Sequence, residues 1–236
     1  MIKKSLFLVL CCIHFFGFTQ NSYSEKALTG RGDLELVGKN YKLQKEVLDA
    51  FQQMKKAALK DGIKINIVSA YRSFERQKSI WNRKYTSYIK KGYSPEKAIE
   101  KIIEYSTIPG TSRHHWGTDI DIIEGGKKHI KNVLNERNFE GDGAYSNLKK
   151  WMDNNANTYG FYLVYTNQVN RKGFKFEPWH YTYKPISKPM LKHFLSIDYK
   201  KILKNNKLKG IEHFTSQFLN KYKKENILDI NPNCFN

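Results

Sequence analysis

Apolar residues recur at helical spacing over Leu43, Val47, Phe51, Met54 and Ala58, and Gly62 follows as a stop signal. Ile63 to Ala70 (IKINIVSA) alternates and is β-branched, which predicts a strand. The spacing predicts a second helix over Phe74 to Lys91, with Ile80, Trp81, Tyr85, Tyr88 and Ile89 apolar. Ser94-Pro95 supplies an N-cap and first-turn pair for a third helix running to about Tyr105. Pro109-Gly110 then breaks the chain.

Gly117 to Ile123 reads as a strand, Glu124 to Ala144 as a charged connection and Asn147 to Asn157 as a helix carrying Leu148, Trp151 and Met152. Phe161 to Tyr165 and Phe174 to Tyr183 read as two more strands, forming a hairpin. Beyond Pro185 the composition turns lysine-rich with helical periodicity (Leu191, Phe194, Leu195; Phe214, Phe218, Leu219, Tyr222). The pattern predicts an α+β fold: helices packed on a small, mainly antiparallel sheet, with a C-terminal helical extension.

The N-terminus changes this picture. Lys3 and Lys4 precede a nearly unbroken apolar run from Ser5 to Phe18, and Thr19-Gln20-Asn21 restores polarity. This is the pattern of a secretory signal peptide. The run is shorter than the roughly 20 apolar residues of a membrane span. Residues 1–20 are therefore expected to be a signal peptide, 21–185 the functional domain and 186–236 the helical extension. The protein is expected to be exported, to the periplasm or cell envelope of a bacterium. Cys11 and Cys12 leave with the signal, and Cys234 alone cannot form an internal disulfide, so a packed core must stabilise the fold.

Without Lys3 and Lys4 the chain keeps 39 basic and 22 acidic residues, an excess of 17 positive charges. Such an excess attracts polyanions or simply solvates the surface. For an exported protein the candidate polyanions are anionic cell-wall polymers. No nucleic acid is expected, because the chain shows no recognition module of that kind.

Two stretches concentrate metal-ligand residue types. TSRHHWGTDID (Thr111 to Asp121) carries His114, His115, Asp119 and Asp121, and FEPWHY carries Glu177 and His180. Two histidines and an aspartate suit a catalytic zinc, which keeps three protein ligands and one open position. A further carboxylate would serve as general base. Pro178 excludes a helical zinc motif at Glu177 and His180. If a regular strand ran through this segment, its two-residue period would align His115, not His114, with Asp119 and Asp121. Pro109, Gly110 and Gly117 weigh against a strand that early, so both histidines stand as candidates.

Three motifs in order resemble those of the VanY-like zinc D-alanyl-D-alanine carboxypeptidases, with the related LD-carboxypeptidases and endolysin peptidases. Ser112 to Asp121 is similar to their SxHxxGxAxD motif, Glu177-Pro178-Trp179-His180 to ExWH, and Tyr71-Arg72-Ser73 with Gln77 to YRSxxxQ. The resemblance spans roughly Leu43 to Tyr183. It implies one zinc ion held by His114, Asp121 and His180, with Glu177 as general base and Arg72 steadying negative charge. It also implies Ser112, Gln77 and Tyr71 near the substrate, with Ser112 and Gln77 at its terminal carboxylate. The implied partners are peptidoglycan stem peptides, and the implied reaction removes a terminal D-alanine. Cutting after an L-centre or inside a cross-link stays open. Asp119 departs from the family pattern, which has a small residue there.

Overall fold

The computed structural model describes residues 23–204 and 207–235, so the signal-peptide expectation for residues 1–20 lies outside the described residues. The elements run α1 (Glu25–Leu28), α2 (Lys45–Lys60), β1 (Ile65–Ser69), α3 (Phe74–Lys90), α4 (Pro95–Ile102), β2 (Asp119–Glu124), α5 (Ser146–Asn155), β3 (Phe161–Leu163), β4 (His180–Tyr183), α6 (Lys184–Phe194), α7 (Tyr199–Lys204) and α8 (Ser216–Tyr222).

Local chemistry sets the helix starts. The Ser73 hydroxyl accepts from the Arg76 N–H and the Ser94 hydroxyl from the Lys97 N–H, so both serines cap, Ser94 as the sequence predicts. The apolar stripe of α2 is wholly buried at Val47, Phe51, Met54 and Ala58. Burial of each of the three larger side chains is worth about 1.5–3 kcal/mol. On α3 the buried face is Phe74, Gln77 and Trp81, while Ile89 is exposed.

The sheet has the order β1-β2-β4-β3, with every pairing antiparallel. The register of β2 and β4 sets Asp119 opposite Thr182, Ile120 opposite Tyr181 and Asp121 opposite His180. Residues directly opposed in an antiparallel pair point to the same face. One face therefore carries Asp119, Asp121, His180 and Thr182. The other carries Ile120, Ile122, Tyr181 and Tyr183, which pack with α2 and α5 in one hydrophobic core.

A second core joins Trp81 of α3, Ile99 and Ile102 of α4, and Trp116 to Leu191, Phe194, Leu219, Tyr222 and Cys234. The lysine-rich C-terminal segment is thus helical and shares a core with α3 and α4. Its first helix begins at Lys184 and takes Pro185 into its first turn, where a missing N–H costs nothing.

Two strand expectations are corrected. The strand expected from Gly117 begins at Asp119, because residues 113–116 form a 3-10 turn closed by Gly117 in the left-handed conformation. The strand expected from Phe174 begins only at His180. Glu177-Pro178-Trp179 makes a turn in which the His180 N–H donates to the Glu177 carbonyl, and Pro178 has no N–H for a ladder.

Candidate metal centre

The segment that leaves β1 holds the 3-10 turn by both of its histidines. His114 Nδ1 lies 2.8 Å from the Ala70 carbonyl oxygen, and His115 Nδ1 lies 2.5 Å from that of Arg72. A carbonyl only accepts, so both Nδ1 atoms carry the proton. The second nitrogens then differ. His115 Nε2 accepts from the Gly110 N–H at 3.0 Å, which completes a neutral ring, and burial pushes its pKa down to about 3. His114 Nε2 faces Asp121 Oδ2 at 3.3 Å. The 3-10 geometry therefore overturns the strand-parity expectation for His115: strand alternation does not reach back to a turn.

Cross-strand pairing supplies the rest. His180 Nδ1 lies 3.4 Å from Asp121 Oδ1 and 3.1 Å from Glu177 Oε2. Single donor atoms of His114, Asp121 and His180 fall within 4.8 Å of one another, and all three residues are buried. Asp121 Oδ1 is a buried oxygen without a hydrogen bond, as an atom awaiting a cation would be. Two imidazole nitrogens and a carboxylate oxygen are the donor set of a tetrahedral zinc site with a fourth position open.

Asp119 lies behind His180. Its Oδ2 is 2.9 Å from His180 Nε2 and accepts from Arg113 Nε at 2.9 Å. Its Oδ1 accepts from the hydroxyls of Thr118 (2.8 Å) and Thr182 (2.6 Å). Arg113 also donates to the Thr182 hydroxyl at 2.8 Å and stacks over Trp116. With His180 Nε2–H directed at Asp119, Nδ1 is the atom turned toward Asp121. Burial works to raise the Asp119 pKa, but Arg113 and His180 outweigh it and hold the carboxyl well below the usual range. Burial likewise works against charge on His180, but Asp119 and Glu177 raise its pKa to about 10. A cation at Nδ1 must displace that proton.

The cleft in front of these groups encloses about 560 Å³ and is lined by Arg72, Ser112, His114, Asp121, Glu177 and His180. Six of the eight sequence-predicted site residues thus converge. The other two do not line the cleft. Gln77 is wholly buried, accepting from Arg72 NH1 at 2.8 Å and donating to the Thr107 carbonyl at 2.8 Å, so it positions Arg72. Tyr71 does not line the cleft, and its hydroxyl points toward the Gly30 carbonyl at 3.5 Å. Arg72 also donates to Ser69 at 2.9 Å and lies 3.9 Å from Asp121 Oδ2.

Sequence reasoning missed Arg113 and Thr182, although Thr182 shares a strand face with His180. It also missed Lys84, seven residues beyond Gln77 on α3, which lines the cleft.

Comparison with known proteins agrees with this geometry. Residues 40–186 match the family model described as VanY, D-alanyl-D-alanine carboxypeptidase. A D-alanyl-D-alanine carboxypeptidase of Enterococcus faecalis is 29% identical over 152 residues, covering 64% of this chain and 52% of that protein. The chain thus spans about half the length of the curated relatives it matches. Among solved structures, VanYB in complex with D-alanine-D-alanine aligns with a TM-score of 0.55 at 25% identity, covering 75% of this chain and 92% of that one. A mutant of the D,D-pentapeptidase VanY in complex with Zn(II) aligns with a TM-score of 0.53 at 25% identity, covering 72% and 90%. With the matched region holding both sheet-borne ligands, the 3-10 turn and the general-base candidate, the chain belongs to the VanY D-alanyl-D-alanine carboxypeptidase family.

Proposed function

We propose that this chain is a zinc-dependent peptidase of peptidoglycan stem peptides and that it removes a terminal D-alanine. The observation that carries the reading is the convergence of His114, Asp121 and His180 with the Glu177 carboxylate 3.1 Å from His180 Nδ1. The VanY structures bound to D-alanine-D-alanine and to Zn(II) support the same substrate and metal here.

His114, Asp121 and His180 would hold the zinc ion, which would supply Lewis acidity to the scissile carbonyl and to the attacking water. Glu177 takes the proton of the attacking water and passes it to the departing amine. Arg72, already oriented by Gln77 and Ser69, offers its planar fork to the developing oxyanion or the substrate carboxylate. Ser112 adds a hydroxyl on the same wall. Asp119 keeps the His180 ring in the orientation that leaves Nδ1 for the metal.

Export to the cell envelope belongs to this reading and is supported by the apolar run of Ser5 to Phe18 behind Lys3 and Lys4. The excess of basic residues suits a wall rich in anionic polymers.

Defined tetra- and pentapeptide muropeptides, incubated with the zinc-loaded protein with and without chelator, test the proposal by product mass. Release of D-alanine from the pentapeptide, abolished by chelator, is the expected result. Release from the tetrapeptide alone would mark an LD-carboxypeptidase, and cleavage inside a cross-link an endopeptidase. No hydrolysis of any of them would mark a wall-binding module.

A further inference from the structure

The cleft holds a cation that the proposed reaction does not use. Lys84 lies on α3 and lines the same cavity as Arg72, His114 and Glu177. Its ammonium donates to the hydroxyl of buried Ser106 at 2.6 Å. Among the described residues it makes no ion pair, although Glu177 contributes to its field. Burial lowers its pKa, the signature of an ammonium that has lost water without gaining a carboxylate. Desolvating a charge without pairing it is costly. Arg72, by contrast, is gripped by Gln77 and Ser69 and sits beside Asp121.

Position separates the two cations. The Gln77 amide stands between them: its Oε1 accepts from Arg72 NH1 and its Nε2 donates to the carbonyl of Thr107, the neighbour of the Ser106 that holds Lys84. In the proposed function Arg72 and Ser112 already face the scissile carbonyl and the terminal carboxylate. An anion at Lys84 is then a different group of the same substrate.

We propose that Lys84, with Ser106, forms a subsite for a side-chain carboxylate of the stem peptide, and so selects stems whose third residue is a diamino-dicarboxylic acid with that carboxylate free. Stems carrying the amidated residue, or lysine, lack the anion and are bound less well.

The inference rests on the peptidase reading, and its test separates the two. The zinc-loaded wild type, Lys84→Met and Lys84→Arg are assayed on a matched pair of pentapeptides, one with the free side-chain carboxylate and one with its amide. The wild type is expected to favour the acid peptide by about tenfold, expressed in KM. Lys84→Met should bring the ratio of the two kcat/KM values close to one, and Lys84→Arg should keep most of it. A wild type indifferent to the amide overturns the proposal. Equal loss on both peptides in Lys84→Met also overturns it, because the lysine would then serve the terminal carboxylate or merely brace Ser106. Hydrolysis of neither peptide by the wild type would instead remove the peptidase reading on which the subsite stands.

Discussion

Asp119 Oδ2 lies 2.9 Å from His180 Nε2, on the ring edge opposite the candidate metal. The carboxylate occupies a position where the family pattern has a small residue, and the strand register places it two pairs along from Asp121 and His180, on the same face. Carboxylate–histidine contacts of this kind fix the ring and its tautomer, and losing one costs about 10–100-fold in metal affinity. Asp119→Asn is expected to weaken zinc binding by that factor in a chelator competition assay. Unchanged affinity would sink the assignment. Asp119→Ala should also destabilise the fold by about 3–5 kcal/mol, since it strands the buried Arg113 guanidinium. Asp119→Ala combined with Arg113→Met should recover stability without recovering zinc affinity.

Glu177→Ala should keep zinc and lose turnover by about 10²–10⁴-fold. Metal analysis and single-turnover kinetics on the same preparation check both halves. Activity near the wild-type level would remove Glu177 as the base.

The neighbouring histidines should part company. His114→Ala is expected to lose zinc, because its Nε2 is the atom that faces Asp121. His115→Ala should retain zinc stoichiometry and lower the melting temperature, because it deletes the bonds to the Arg72 carbonyl and the Gly110 N–H in a wholly buried position. Zinc held by the His114 variant but lost from the His115 variant would reverse the assignment.

The C-terminal helices should behave as core. The Tyr222 hydroxyl accepts from the Ile108 N–H at 3.0 Å and lies 2.9 Å from the Thr111 hydroxyl, just before the 3-10 turn. Tyr222→Phe leaves a buried N–H unpaired and is expected to cost about 1–3 kcal/mol in urea unfolding. A stability equal to wild type would mean that water replaces the phenol.

Cys234 reports on the same packing. Burial pushes its thiol up to about 11, above the ordinary value of about 8.5. The native protein at pH 8 should therefore resist alkylation that proceeds readily in denaturant. The folded pKa is the higher one, so the contribution to stability is complete below about pH 8.5 and is lost as pH rises toward 11. Fast labelling of native protein at pH 8 would contradict a buried thiol.

Much of this molecule was legible along the chain. Periodicity located α2, α3, α4 and α5 within a few residues, because each has an apolar stripe that must be buried and a start or stop residue whose backbone chemistry is local. Strand alternation correctly put Asp119 and Asp121 on one face, since a period of two holds wherever the ladder is regular. The same rule failed at His115, four residues away. The chain there is a 3-10 turn held by carbonyls from 70 and 72, partners that are distant in sequence.

By itself the sequence determined the ligand types, the acid beside them, the helical stripes and the basic excess, because those depend on residue chemistry and short-range spacing. Only the tertiary structure decided what each residue faces. It set the Gln77 amide against Arg72, made Asp119 the partner of His180, and held Lys84 in the cleft on the Ser106 hydroxyl. The physical reason is that hydrogen bonds and ion pairs form between atoms that folding brings within about 3–4 Å. The pairs that matter here join residues far apart along the chain: 61 positions between Asp119 and His180, and 114 between Ile108 and Tyr222.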